Sequence, residues 1–337
     1  MSNLKTNYLG LELKNPVIAG ASSFSKDVDG AKKLEDAGVA AIVYKSLFEE
    51  QIQLEEYEMD QDLTAYDDRH AEMVSLFPHI EHSGAKSHLY DLRKVKEAVG
   101  IPVIASLNCV YDVSWEEYAK ELAETGIDAL ELNFYSTPKF HLKTAQEIEK
   151  EQIEVLHNVR KAVKIPISIK LSPHYTNPLN FIHHLDEAGL EGLVLFNKLF
   201  QADINIEQEE NEFSYILSNE YDNRIALRYA ALLYGNVKAD IITSGGIHSG
   251  ADAIKAILAG ANAVQVVSSF YNNGAEYATT MLADIEAWMN KKGYENLNDF
   301  RGKLSAKNST DPFAYKRSQY VDILLNSKKI LEKTVLR

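Results

Sequence analysis

The chain has 337 residues, 45% of them hydrophobic and 25% charged, which fits a soluble globular protein of one large α/β domain or two ordinary ones. A formal net charge of −14 argues against a nucleic-acid partner or an anionic membrane surface. The single cysteine, Cys109, excludes an intramolecular disulfide; Met1 to Asn7 are polar and no apolar run reaches the length of a membrane span, so a cytoplasmic protein is expected.

Residues 7–13 alternate around Gly10 and read as a short hairpin that would cap the bottom of the fold. Residues 15–20 form a first buried strand, turned at Ala21-Ser22-Ser23, and 29–37 an amphipathic helix closed by Gly38. Residues 39–44 form a second strand with Lys45 at its C-terminal end. Residues 47–87 then break the rhythm. They are acidic, rich in tyrosine and histidine and without a sustained period, and they predict a long excursion of the lid or insertion type. Alternation resumes with helices over 89–99, 115–124, 145–163 and 179–188. Between them lie strands over 102–107, 129–132, 167–169 and 192–196, ending at Asn108, Asn133, Lys170 and Asn197. Residues 198–220 read as an irregular polar loop before a helix over 225–234 and a strand over 240–243. A helix with Ser249 at its N-cap comes next, then a strand over 263–267 and a helix over 275–289. The tail, 294–337, has two apolar-periodic pieces, 297–304 and 320–331, expected as helices packed outside or at a subunit contact.

Eight strands each followed by a helix demand right-handed crossovers and a parallel sheet. No composition shift marks a second domain, and the count favours one closed (β/α)8 barrel over residues 1–337, with a short N-terminal hairpin. Active sites of such barrels lie at the C-terminal strand ends, here Ser22, Lys45, Asn108, Asn133, Lys170, Asn197, Gly245-Gly246 and Ser268-Ser269. The glycine turn before Ser249 and the serine turn after the last strand suit a phosphate. Two lysines and three amides on the same face suit a planar polar heterocycle carrying that phosphate, because amides both donate and accept and a buried lysine needs an anion. The lysines leave open a Schiff-base lyase. Ser136, in the loop after Asn133, could take or relay a proton.

Six stretches carry a resemblance that runs through nearly the whole chain: Leu13-Lys-Asn-Pro-Val17, Tyr44-Lys45-Ser46, Glu131-Leu-Asn133, Ile169-Lys170-Leu171, Thr243-Ser-Gly-Gly-Ile247, and Gly293-Tyr-Glu-Asn-Leu-Asn-Asp-Phe-Arg-Gly-Lys-Leu304. With them the chain resembles the soluble class of the dihydroorotate dehydrogenase family of FMN-containing barrels. The last stretch has no catalytic reason to be present and is specific evidence of kinship. The resemblance implies FMN with its phosphate on Gly245, Gly246, Ser268 and Ser269, and with Ala21, Ser22 and Asn108 beside the flavin. It implies Lys170 at the pyrimidine end of the ring, Lys45 between flavin and substrate, and Asn133 and Asn197 on the substrate. It implies oxidation of dihydroorotate to orotate in pyrimidine biosynthesis, by a homodimer acting on a small molecule.

Three departures stand out. Ser136 occupies the place of the soluble class's cysteine base, so Ser136 and Lys45 are the catalytic candidates. The family's Asn-x-x-Gly substrate loop is replaced by Ser75-Leu-Phe-Pro-His-Ile-Glu-His-Ser-Gly84, and its glycine-rich segment before the seventh helix by Ser218-Asn-Glu-Tyr-Asp-Asn-Arg224. The flavin expectation survives these changes. A different dihydropyrimidine or unsaturated carbonyl substrate is the alternative they raise.

Overall fold

The computed structural model describes residues 2–52, 83–109, 112–134, 141–199, 201–212, 215–311 and 314–325. The chain opens on an antiparallel hairpin, β1 (Thr6–Tyr8) and β2 (Leu11–Leu13), turned through Leu9 and Gly10, both at positive φ. Next come β3 (Val17–Ala19), α1 (Val28–Asp36), β4 (Ala41–Val43), a two-residue β5 (Leu47–Phe48), α2 (Ser83–Ala98), β6 (Val103–Asn108) and α3 (Asp112–Ala123). The middle of the chain supplies β7 (Ala129–Phe134), α4 (Ala145–Ala162), β8 (Ile167–Leu171), α5 (Pro178–Glu187) and β9 (Gly192–Leu195). After a hairpin of β10 (Asp203–Asn205) and β11 (Glu210–Glu212) come α6 (Asn223–Leu233), β12 (Asp240–Ser244), α7 (Gly250–Ala259) and β13 (Ala263–Val266). The chain then runs through α8 (Ser268–Asn273), α9 (Tyr277–Lys292) and α10 (Arg317–Leu325).

Parallel pairing runs β3, β4, β6, β7, β8, β9, β12, β13 and back to β3. The sheet is therefore the closed eight-stranded barrel expected, and closure leaves none of these strands with a free edge. The strands are buried on both faces, and for that reason they read as near-continuous apolar runs rather than as alternations. The N-terminal hairpin plugs the floor. Tyr8, Leu9 and Leu13 are buried against interior side chains such as Ile18, Val43 and Ile104. Gly192 is what lets them in: a Cβ there would lie 2.6 Å from Leu9 Cδ2 and 2.9 Å from Tyr8 Cε2.

The outer helices form for local reasons that the sequence states. Asp27 caps α1 by accepting from Gly30 N, Thr144 and Glu147 make a reciprocal capping box on α4, and Ser249 caps α7 through Asp252 N. The family-like stretch 293–304 is a clasp under the barrel. Arg301 donates to Thr6 Oγ1 at 2.7 Å, Gly302 N to Ile257 O at 2.9 Å, and Phe300 packs edge-on to Trp288.

Several expected elements are corrected. Residues 198–220 are not wholly irregular, because β10 and β11 pair within them. Residues 297–304 are not a helix but a 3-10 turn, Leu297–Asp299, followed by turns through Gly302 at φ +69°. Ser268 and Ser269 begin the short α8 rather than an open turn. The excursion is bounded by β5 on one side and by α2, from Ser83, on the other, while 53–82 lie outside the described residues.

Candidate active site

The C-terminal mouth of the barrel divides into two halves. The first is a cleft enclosing about 650 Å³, counted out to its open mouth. Of the residues expected at the site, Ala21, Lys170, Asn197, Gly245, Gly246 and Ser268 line it together. Its outer wall is the β12–α7 turn beside the start of α8. None of the backbone N–H groups of Gly245, Gly246, Ile247, Ser268 and Ser269 reaches a protein acceptor among the described residues. Gly246 sits at φ +69°, and a Cβ on it would lie 2.4 Å from Asn223 N, so the turn requires glycine. Ser268 Oγ accepts from both the backbone and the hydroxyl of Ser218, at 2.9 and 2.8 Å, which leaves its own O–H to donate. Ser269 differs from expectation. Its side chain is fully buried and donates to His248 O, so its backbone N–H is what it offers. Ser22 does not line the cleft; its carbonyl accepts from Ser25.

Four of these amides, at Gly245, Gly246, Ile247 and Ser268, line the cleft together with the free Ser268 hydroxyl near the N-terminus of α7, and a phosphate would fit that donor set. Lys198, also in the wall, is held by Asp222 at 2.9 Å and by Leu217 O at 3.1 Å. Burial, the largest influence, would raise the Asp222 carboxyl, but the hydrogen bonds from Lys198 and Asn219 N and the Lys198 charge together outweigh it and hold the group below the usual range.

Beneath the cleft, Lys170 Nζ donates to Gln265 Oε1 at 2.9 Å, Gln265 Nε2 donates to Glu131 Oε2, and Lys170 Nζ stands 3.8 Å from Glu131 Oε1. β13 neighbours neither β7 nor β8, so this bridge crosses the barrel interior.

The second half lies over β4, β6 and β7. Asn133 is 6% exposed and donates its amide to Ser106 Oγ at 2.8 Å and to Leu107 O at 3.2 Å; Ser106 in turn meets Ser46 Oγ at 2.7 Å. That network fixes the Asn133 amide and leaves its oxygen to accept from a ligand. Asn108 is buried at the end of β6, whereas Lys45 is exposed and does not line the cleft. His88, from α2, sits edge-on to Tyr44, and burial together with the Lys45 charge pushes its ring down to about 4. Ser136 and the loop 75–82 lie outside the described residues. Among the described residues no cluster of His, Cys, Asp or Glu is arranged to hold a metal, and no helix is long and apolar enough to cross a membrane.

Four residues of this site were not singled out from the sequence: Glu131, Gln265, Lys198 and Ser218. A signal existed for the first two. A glutamate in Ala129-Leu-Glu-Leu and a glutamine in Ala263-Val-Gln-Val are polar groups inside fully buried strands, and each demands a partner.

Comparison with known proteins places the chain in a family. Residues 79–289 match the family described as dihydroorotate dehydrogenase. The chain is 28% identical over 297 residues to a Methanocaldococcus jannaschii protein described as the catalytic subunit of dihydroorotate dehydrogenase B (NAD(+)), covering 86% of this chain and 94% of that one. It is 28% identical to the same subunit from Thermoplasma volcanium, over 90% of this chain and 98% of that one. It is 27% identical to dihydroorotate dehydrogenase A (fumarate) of Lactobacillus delbrueckii subsp. bulgaricus, over 90% of this chain and 99% of that one. With the matched segment spanning more than half of a closed parallel barrel whose polar groups gather at its C-terminal mouth, the chain belongs to the dihydroorotate dehydrogenase family.

Proposed function

We propose that the protein oxidises dihydroorotate to orotate and holds FMN in the cleft. The observation that carries this reading is the row of five unengaged backbone N–H groups, from Gly245 to Ile247 and at Ser268 and Ser269, above a buried lysine. Those amides bind the phosphate. Lys170, at the inner end of the same cleft, would hold the pyrimidine end of the ring, and Asn197 would bind the substrate. Asn133, locked through Ser106, offers its oxygen to a substrate N–H. Bound there, FMN supplies the hydride acceptor.

The other product of the reaction is a proton. Ser136 would take it from the carbon next to the one that loses hydride, and Lys45 would steady the substrate's charge. A serine hydroxyl is a weak base, so this step is slow without a relay to solvent. A Schiff base on Lys170 is disfavoured, because its amine is committed to Gln265 and Glu131 rather than free to attack a carbonyl.

The test is turnover with dihydroorotate and an artificial electron acceptor, with orotate followed by its ultraviolet absorption. FMN-dependent orotate formation supports the reading. Formation from another dihydropyrimidine but not from dihydroorotate keeps the cofactor and moves the substrate assignment to the altered 75–84 stretch.

A further inference from the structure

The eight barrel strands carry three ionisable side chains between them: Glu131 on β7, Lys170 on β8 and Asp240 on β12. Asp240 has a structural task. It opens its strand at the floor, accepting from Leu9 N at 2.9 Å and from Asn262 Nδ2 at 2.7 Å. The other two form an ion pair inside the barrel, 3.8 Å apart, with side chains 8% and 0% exposed. A buried ion pair contributes less to stability than apolar side chains of the same volume, so packing does not account for it. Gln265 fixes the pair from across the interior, accepting from Lys170 and donating to Glu131.

The surroundings leave Lys170 with one anion. Glu131 Oε1 has no hydrogen-bond partner, so the opposing charge of Lys170 is what compensates it. Tyr8, from the floor, is the phenol that feels Glu131, and burial first, then the carboxylate, pushes it well above its usual range and keeps it neutral. β9 and β13 bring no ionisable group. On the cleft side, Lys198 is already paired with Asp222.

We propose that Glu131, fixed by Gln265, is a positioning residue that holds the Lys170 side chain at the inner end of the cleft. The cation is then present to meet negative charge that develops on the cofactor ring. This inference rests on the FMN reading above for its role, but not for the pairing itself. Removing the carboxylate takes away the counter-charge of Lys170 and leaves Gln265 as its side-chain partner among the described residues.

Glu131→Gln is the variant of choice, because the new amide oxygen can still accept from Gln265. Two readouts separate the parts of the proposal. Thermal unfolding of the wild type, Glu131→Gln, Lys170→Met and the double variant needs no cofactor. Each single change is expected to lower Tm by several degrees, with the double variant no worse than either; additive losses would overturn the pairing.

The second readout is sulfite affinity of the FMN-loaded protein. Sulfite bonds through sulfur to flavin N5, and its electron pair leaves a negative charge at the pyrimidine end, so affinity reports the cation there. Glu131→Gln is expected to bind sulfite about tenfold more weakly than wild type, Lys170→Met to be at least as weak, and Glu131→Asp to recover most of the affinity. A Glu131→Gln protein that binds sulfite as wild type does overturns the proposal. A wild-type protein that takes up no FMN removes the cofactor reading instead, and the unfolding cycle then decides the Glu131–Lys170 link alone.

Discussion

The two halves of the barrel mouth are built on different principles. Over β12 and β13 the donors are backbone amides, placed by glycine conformation and helix starts, and side chains mostly brace the turn: Ser269 on His248 O, Ser218 on Ser268. Over β4, β6 and β7 the proposed recognising groups are side chains, Lys45, Asn108 and Asn133, with Ser106 bonded to Asn133 and the Lys45 charge acting on His88. A backbone site tolerates side-chain replacement and fails when its conformation is lost. A side-chain site does the reverse. Relatives could therefore share the phosphate half while the substrate half diverges; in the sequence, Ser136 follows β7 and the 75–84 stretch follows β5.

The largest effects should come from breaking the backbone half. Gly246→Ala pushes a Cβ to 2.4 Å from Asn223 N at φ +69°, and FMN affinity should fall by more than about 100-fold, measured by flavin fluorescence quenching. Gly245→Ala is the control. At φ +85° with no atom within 4 Å it meets strain alone, about 1 kcal/mol or roughly fivefold in affinity. Equal losses at the two glycines would mean that the turn does not shape the site.

Next comes the side-chain half. Ser136→Ala should slow flavin reduction by dihydroorotate about 10² to 10⁴-fold in stopped flow, with FMN affinity unchanged. An unchanged rate assigns the proton to another group.

His88 gives a pH-dependent effect in the same half. Its folded-state value of about 4 lies below the ordinary 6.5, so the unfolded chain binds the proton first as pH falls. The stability is present above about pH 6.5 and lost progressively toward pH 4, amounting to about 2 kcal/mol by pH 5. Urea unfolding at pH 7 and pH 5 should show His88→Gln losing less stability than wild type by about that amount. Smallest of all, Ser218→Ala keeps the backbone bond to Ser268 and loses the hydroxyl one, costing about 1 kcal/mol in unfolding free energy and little FMN affinity.

The same contrast governs what was legible in the sequence. The barrel showed itself because each strand is a short apolar run ending in a polar residue, repeated eight times. The β12–α7 turn showed itself because glycine pairs and a serine N-cap have local meanings. β10 and β11 did not, because both are exposed and polar and so carry no alternation. The 297–304 stretch has helical spacing, but Gly302 faces Tyr234 at 2.2 Å from a would-be Cβ and turns the chain there. Glu131 and Gln265 are 134 residues apart, and their pairing exists only once the barrel closes. Lys45 was placed correctly at a strand end, yet strand position alone does not say whether a side chain enters the cleft.

The most direct test of the account is the visible absorption spectrum of the purified protein, recorded before and after anaerobic addition of dihydroorotate. A yellow protein that bleaches is the predicted result, since it requires the phosphate cradle and the substrate half to work together. A colourless protein that takes up no added FMN would contradict the account at its base.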